Sequence, residues 1–170
     1  MGDGTAPGRS LTGPALGLAV LVFLLDQASK WLILEVIMQP PRVIEVLPVF
    51  NLVLTFNRGV SFGLFGQAAD WMPWVLIGLS LVIVAGLTVW LRRQERWLPA
   101  LALGLVIGGA LGNVIDRLLL GAVVDFLDVH AYGWHWPAFN IADSGITVGV
   151  GLLILDGLFW SDEQAKQEPK

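Results

Sequence analysis

Four apolar stretches dominate the chain, separated by polar connections of unequal length. The first covers about residues 14–38 and is broken in its middle by Asp26 and Lys30. The second, 71–91, carries no charge. At about 1.5 Å of rise per residue, a helix of that length spans roughly 30 Å, the hydrocarbon thickness of a bilayer. The third covers 97–117, is uncharged as far as Ile115, and sets Gly104, Gly108, Gly109 and Gly112 about one helical turn apart. Such a small-residue face lets helices approach closely in lipid. The fourth covers 141–160, with Gly145, Gly149 and Gly151 in its first half. This pattern predicts an all-α membrane protein, a bundle of four transmembrane helices.

The connections refine that picture. Within residues 39–70, R-V-I-E-V-L-P-V-F-N-L-V-L-T-F-N is rich in β-branched and aromatic residues and partly alternates. It predicts two short strands split near Pro48 and a turn at Asn57-Arg58-Gly59. The expected result is a small outward-facing β-rich subdomain between the first two helices. Residues 118–140 carry Tyr132, Trp134, Trp136 and Phe139, which predicts an interfacial loop able to act as a lid. Arg92, Arg93 and Arg96 crowd the short second-to-third connection, Arg9 lies in the first tail, and Lys166 and Lys170 lie in the last. The positive-inside rule then makes residues 1–13 and 161–170 cytoplasmic tails and turns both long connections outward. The first tail, polar and containing Gly and Pro, is expected to be disordered.

Composition agrees with a membrane setting: 55% of the 170 residues are hydrophobic and only 14% charged. Eight Trp suit two interfacial belts. The absence of cysteine excludes disulfides, thiolate metal sites and a Cys nucleophile. His130 and His135 alone make a poor metal site, so no metal is expected. A net charge of −4 without a basic, aromatic-laced stripe argues against nucleic acid.

Candidate chemistry lies in the polar interruptions. Asp26 and Lys30, four apart, share a helix face and can pair; either they serve only to carry charge in lipid or they brace a polar cavity. The Asn57 turn can also reach a site with its amide. Asn113, Asp116 and Arg117 share one face at the end of the third stretch. Asp125, Asp128, Asn140, Asp143 and Ser144 follow around the last polar gap. One of Asn140 and Asp143 can cap the fourth helix, but a cap does not need Asp125 as well. Two carboxylates in a partly desolvated site hold one proton between them, so one can activate water while the other protonates the substrate. By spacing alone, Asp116 or Asp128 could take the place of Asp125. Asp143-Ser144-Gly145 matches the triplet of soluble aspartic proteases only once, and no base is spaced to make Ser144 a nucleophile.

Taken in order, D-Q-A-S-K from Asp26, N-R-G-V-S-F-G from Asn57, G-G-A-L-G-N-V-I-D-R up to Arg117, V-V-D-F at Asp125 and P-A-F-N-I-A-D-S around Asp143 resemble lipoprotein signal peptidase (signal peptidase II). The resemblance covers about residues 14–160. It implies a single membrane-embedded aspartyl endopeptidase domain in the bacterial inner membrane, needing no cofactor. The implied substrate is a diacylglyceryl-modified prolipoprotein, cut just before its lipidated lipobox cysteine. Asp125 and Asp143 are the implied catalytic pair, with Asn57, Asn113, Arg117, Asn140 and Gly109 around them. Asp26 and Lys30 match the polar pair of the first helix, and Asp116 is expected to be structural. Four helices can enclose one site, so a monomer in contact with membrane lipid is expected. A transporter is the rival class; an uncharged second helix and polar groups gathered at one end argue against a path across the bilayer.

Overall fold

The computed structural model describes residues 10–59 and 71–165, with side chains as far as Phe159. Residues 1–9 and 166–170 of the two expected tails, with Arg9, Lys166 and Lys170, lie outside the described residues, as does Val60–Gly63 of the turn motif. The helices are α1 (Thr12–Leu32, continued by a π-helical turn over Ile33–Ile37), α2 (Met72–Leu91), α3 (Trp97–Leu120) and α4 (Ile141–Ala165). The strands are β1 (Ile44–Leu47), β2 (Phe50–Asn57), β3 (Val123–Ala131) and β4 (Trp134–His135). Four helices are long and apolar enough to cross a membrane: Thr12–Ile37, Met72–Leu91, Trp97–Leu120 and Ile141–Phe159.

The helix ends follow local chemistry. Pro73 opens α2 where its missing N–H costs nothing. The third helix runs past the expected residue 117 because Leu118–Leu120 continue its apolar surface. It stops at Gly121, whose φ of +70° suits only a left-handed cap and whose N–H donates to Arg117 O at 3.1 Å.

Helix α3 is the centre of the bundle. Thirteen of its residues are buried, against three in α2. Its glycine face makes this possible: a Cβ at Gly104 or Gly108 would collide with the carbonyls of Ala15 or Ala19 in α1, and one at Gly109 with Ala142 O of α4. At the far end from the sheet, the Arg96 guanidinium donates to both oxygens of Asp156, at 2.8 and 2.5 Å, tying the start of α3 to α4.

The strands form one antiparallel sheet in the order β1-β2-β3-β4. Two strands split near Pro48 are as expected. The expectation that residues 118–140 form a plain aromatic loop, and that β structure is confined to the connection between α1 and α2, needs correction. Strands β3 and β4 come from 118–140, and β3 pairs with β2 through Thr55↔Asp125, Asn51↔Asp128 and Asn57↔Val123. The fold is therefore a helical bundle carrying a four-stranded sheet rather than all-α. Successive side chains of a strand alternate, so Asp125 and Asp128, three apart, project to opposite faces.

Candidate active site

Asp125 and Asp143 reach the site from different elements, one on β3 and one in the first turn of α4. Asn140 joins them. As the residue before α4, it accepts the Asp143 N–H on its Oδ1 at 2.9 Å, while Asp143 Oδ2 accepts the Asn140 N–H at 3.3 Å. This reciprocal cap satisfies two N–H groups that a helix start otherwise leaves open. The fully buried Asn140 amide also donates to Asp125 Oδ1 at 2.8 Å and to Val124 O at 3.2 Å. The cap and the carboxylate pair are thus one construction.

The other oxygen of Asp125 accepts from Asn57 Nδ2 at 3.1 Å, and Asn57 Oδ1 accepts the Gly59 N–H at 2.8 Å. With Gly59 at a φ of +95°, Asn57 both makes the turn and reaches the site. Asp143 Oδ1 accepts from Asn113 Nδ2 at 2.7 Å. Asp125 is 2% exposed while Asp143 is half-buried, so the pair opens on the Asp143 side. Burial, and after it the charge of Asp143, push the Asp125 carboxyl up from 3.8 to about 6 against the opposing bonds from Asn57 and Asn140.

Behind the pair lies a second polar layer centred on Lys30. Its ammonium is 3% exposed and donates to Asp26 Oδ2 at 2.7 Å and Asn113 Oδ1 at 3.1 Å, with Asp116 Oδ2 at 2.8 Å. Three acceptors match its three N–H donors. Asp26 Oδ1 accepts the Ala142 N–H at 2.9 Å, so α1 holds the start of α4. Asp116 Oδ2 accepts the Val124 N–H at 3.1 Å and so holds the strand beside Asp125. Gln27 was not singled out from sequence. Its amide donates to Asp116 Oδ1 at 3.0 Å, Asp26 Oδ2 at 3.2 Å and Gly112 O at 3.3 Å. The only available signal was its place beside Asp26 in the polar break of the first apolar stretch.

The remaining candidates separate cleanly. Asp116, buried beneath the pair, belongs to the Lys30 layer. Asp128 lies on the other face of β3, where it accepts from Asn51 Nδ2 at 3.0 Å and from His135 Nδ1 at 2.9 Å. Burial works to raise its pKa, but these bonds outweigh it and hold the carboxylate below its usual range. Ser144 Oγ donates to Asn140 O at 2.9 Å, as a helix-start hydroxyl does, and has no hydrogen bond to a base among the described residues. Arg117 Nη1 donates to Asn113 O at 3.2 Å, its Nε is buried without a partner among the described residues, and Asp143 is its strongest charged neighbour. Gly109 lets the Ala142 carbonyl approach α3, and a Cβ at Gly112 would come within 2.6 Å of Asp26 Oδ2. Among the described residues, no cluster of three or more His, Asp or Glu has an arrangement that holds a metal.

The family described as signal peptidase (SPase) II matches residues 18–159. A lipoprotein signal peptidase of Burkholderia vietnamiensis is 46% identical over 153 residues, covering 89% of this chain and 92% of that protein. One from Azoarcus sp. strain BH72 is 51% identical over 143 residues, covering 83% and 80%. A solved structure, described as a bacterial membrane enzyme determined by the in meso method at 2.3 Å resolution, superimposes with a TM-score of 0.78 at 33% identity, covering 93% of this chain and 95% of that one. A multi-pass membrane peptidase of the aspartic class accounts for both the four spans and the paired carboxylates. The chain belongs to the signal peptidase II family.

Proposed function

We propose that the protein is the endopeptidase that frees diacylglyceryl-modified prolipoproteins from their signal peptides, cutting just before the lipidated cysteine. Asp125 and Asp143 are its catalytic residues. The observation that carries this reading is the Asn140 construction. One buried side chain bonds Asp125, caps α4 and sets Asp143, while burial and the neighbouring charge favour a proton on Asp125. Asp125 then acts as acid toward the scissile carbonyl or the leaving amine, and the more open Asp143 takes a proton from the attacking water. Asn57 and Asn113 hold the two carboxylates in place, and the Arg117 guanidinium near Asp143 offsets developing negative charge.

Topology supports the cellular setting. The dyad and sheet lie at one end of the bundle, and Arg92, Arg93 and Arg96 lie at the other. In an inner membrane with the arginine end and both termini in the cytoplasm, the site sits near the periplasmic face. Residues 14–160 act there as one membrane-embedded unit, and one copy suffices. A lipidated substrate reaches the site from the bilayer and offers its scissile bond at the rim, where water enters. The test is incubation of the purified protein with lipidated and unlipidated lipobox substrates, followed by a gel shift. Cleavage of the lipidated form alone is expected; equal cleavage of both, or of neither, contradicts the reading.

A further inference from the structure

A groove of about 480 Å³ opens beside Asp143. One wall is the Trp136–Phe139 segment; the other is the α4 face from Asp143 and Ser144 to Thr147 and Val148. Its volume lies within the range of about 300–1,000 Å³ usual for small-molecule sites. The carboxylate stands at one end, and the groove leaves it along a membrane-spanning helix by one turn, about 5–6 Å. A polar end and an apolar run suit an amphiphile whose head is at the reacting bond and whose single tail points into the bilayer.

The Trp136 wall depends on a short strand. β4 contains only Trp134 and His135. Beyond it, the Trp136 N–H donates to Val129 O at 2.8 Å, and its ring meets Trp134 edge-on with centroids 5.7 Å apart. The side-chain tie is His135: its Nδ1 donates to both oxygens of Asp128, at 2.9 and 3.0 Å, and its ring stacks on His130 with centroids 4.8 Å apart. Asp128 is fixed in turn by Asn51 of β2. Among the described residues, the side-chain contacts of these histidines and Asp128 stay within this cluster and Asn51, which the mechanism leaves unused.

We propose that the Asp128–His135 pair is a positioning latch: it holds Trp136 as one wall of a groove that seats an acyl chain of the substrate next to the scissile bond. The proposal rests on the peptidase reading above. A chain already in lipid gains nothing from leaving water, so the groove acts through packing against ordered rings. Without the latch the Trp136 ring, whose backbone Val129 O still holds, must be ordered each time the lipid enters, and that cost falls on binding rather than on the chemistry at Asp125 and Asp143.

The experiment measures KM and kcat of the full-length protein on a diacylglyceryl-modified prolipoprotein. His135→Ala is expected to raise KM about three- to tenfold with kcat within about twofold. His135 is 53% exposed, so its removal uncovers no core. His135→Asn, whose Nδ2 stands where Nδ1 donates, restores the wild-type KM. Trp136→Ala raises KM at least as much, and adding His135→Ala to it changes nothing further, because both act through one wall. An unchanged KM in His135→Ala, an Asn variant as poor as Ala, or additive effects overturn the latch. A wild type that leaves the lipidated substrate uncut sinks the peptidase reading and the latch together; a wild type that cuts it, with His135→Ala unchanged, sinks the latch alone.

Discussion

Replacing Asp125 by Asn removes a pH-dependent part of the stability, and its size follows from the surroundings of the carboxyl. Burial, then the Asp143 charge, lift it from 3.8 to about 6. At about 1.36 kcal/mol per pKa unit, that gap corresponds to roughly 3 kcal/mol. The folded state keeps the proton where the unfolded chain has lost it. The stabilisation from this group is therefore full below pH 3.8 and lost as pH rises through about 6. An Asn at 125 does not titrate. It also presents an NH2 group toward Asn57 Nδ2 or Asn140 Nδ2, so one hydrogen bond is lost at a pH-independent cost of about 1 kcal/mol. Denaturant unfolding in detergent micelles, run on both proteins between pH 3 and pH 8, separates the two contributions. The variant is expected to gain roughly 3 kcal/mol relative to wild type as pH rises through that window. Parallel curves, or a wild type that gains on the variant toward pH 8, refute the argument that burial holds a proton on Asp125.

Three further outcomes follow from the polar layers. Lys30→Met leaves Asp26 and Asp116 buried without their cation, so unfolding stability should fall by about 3–5 kcal/mol; a Tm within about 2 °C of wild type contradicts the brace. Asn140→Ala removes the cap and a bond to Asp125, which should cost about 1–2 kcal/mol and lower kcat/KM at least about tenfold. Gly109→Val drives a side chain into Ala142 O, one residue before Asp143. Cleavage should drop about 100-fold with helix content by circular dichroism unchanged, and full activity would show that α4 tolerates displacement there.

The four spans were legible because lipid demands long apolar helices, and composition alone carries that signal. Strands β1 and β2 were legible from β-branched alternation around Pro48. β3 was not: Val123 to Phe126 are all buried, so no alternation marks the strand. Missing it had a consequence at the site. Once 123–131 is a strand, the odd spacing of Asp125 and Asp128 puts them on opposite faces, and it is Asp125 that shares Asn140 with Asp143. Asp116 pairs with Lys30, a contact between α3 and α1 that no local pattern encodes. Asn140 and Asp143 were alternatives for a single cap in the sequence, yet they cap reciprocally. Gln27 went unnoticed because an uncharged amide in an apolar stretch signals little, although it touches Asp26, Asp116 and the Gly112 carbonyl.

The central claim is that Asp125 and Asp143 together activate water. It is tested most directly by single-turnover cleavage of a diacylglyceryl-modified prolipoprotein by wild type, Asp125→Asn and Asp143→Asn, each first shown to bind the substrate. Each variant is expected to bind it and to cleave it slower by at least about 10²–10⁴-fold. A rate within about twofold of wild type in either variant would contradict the account.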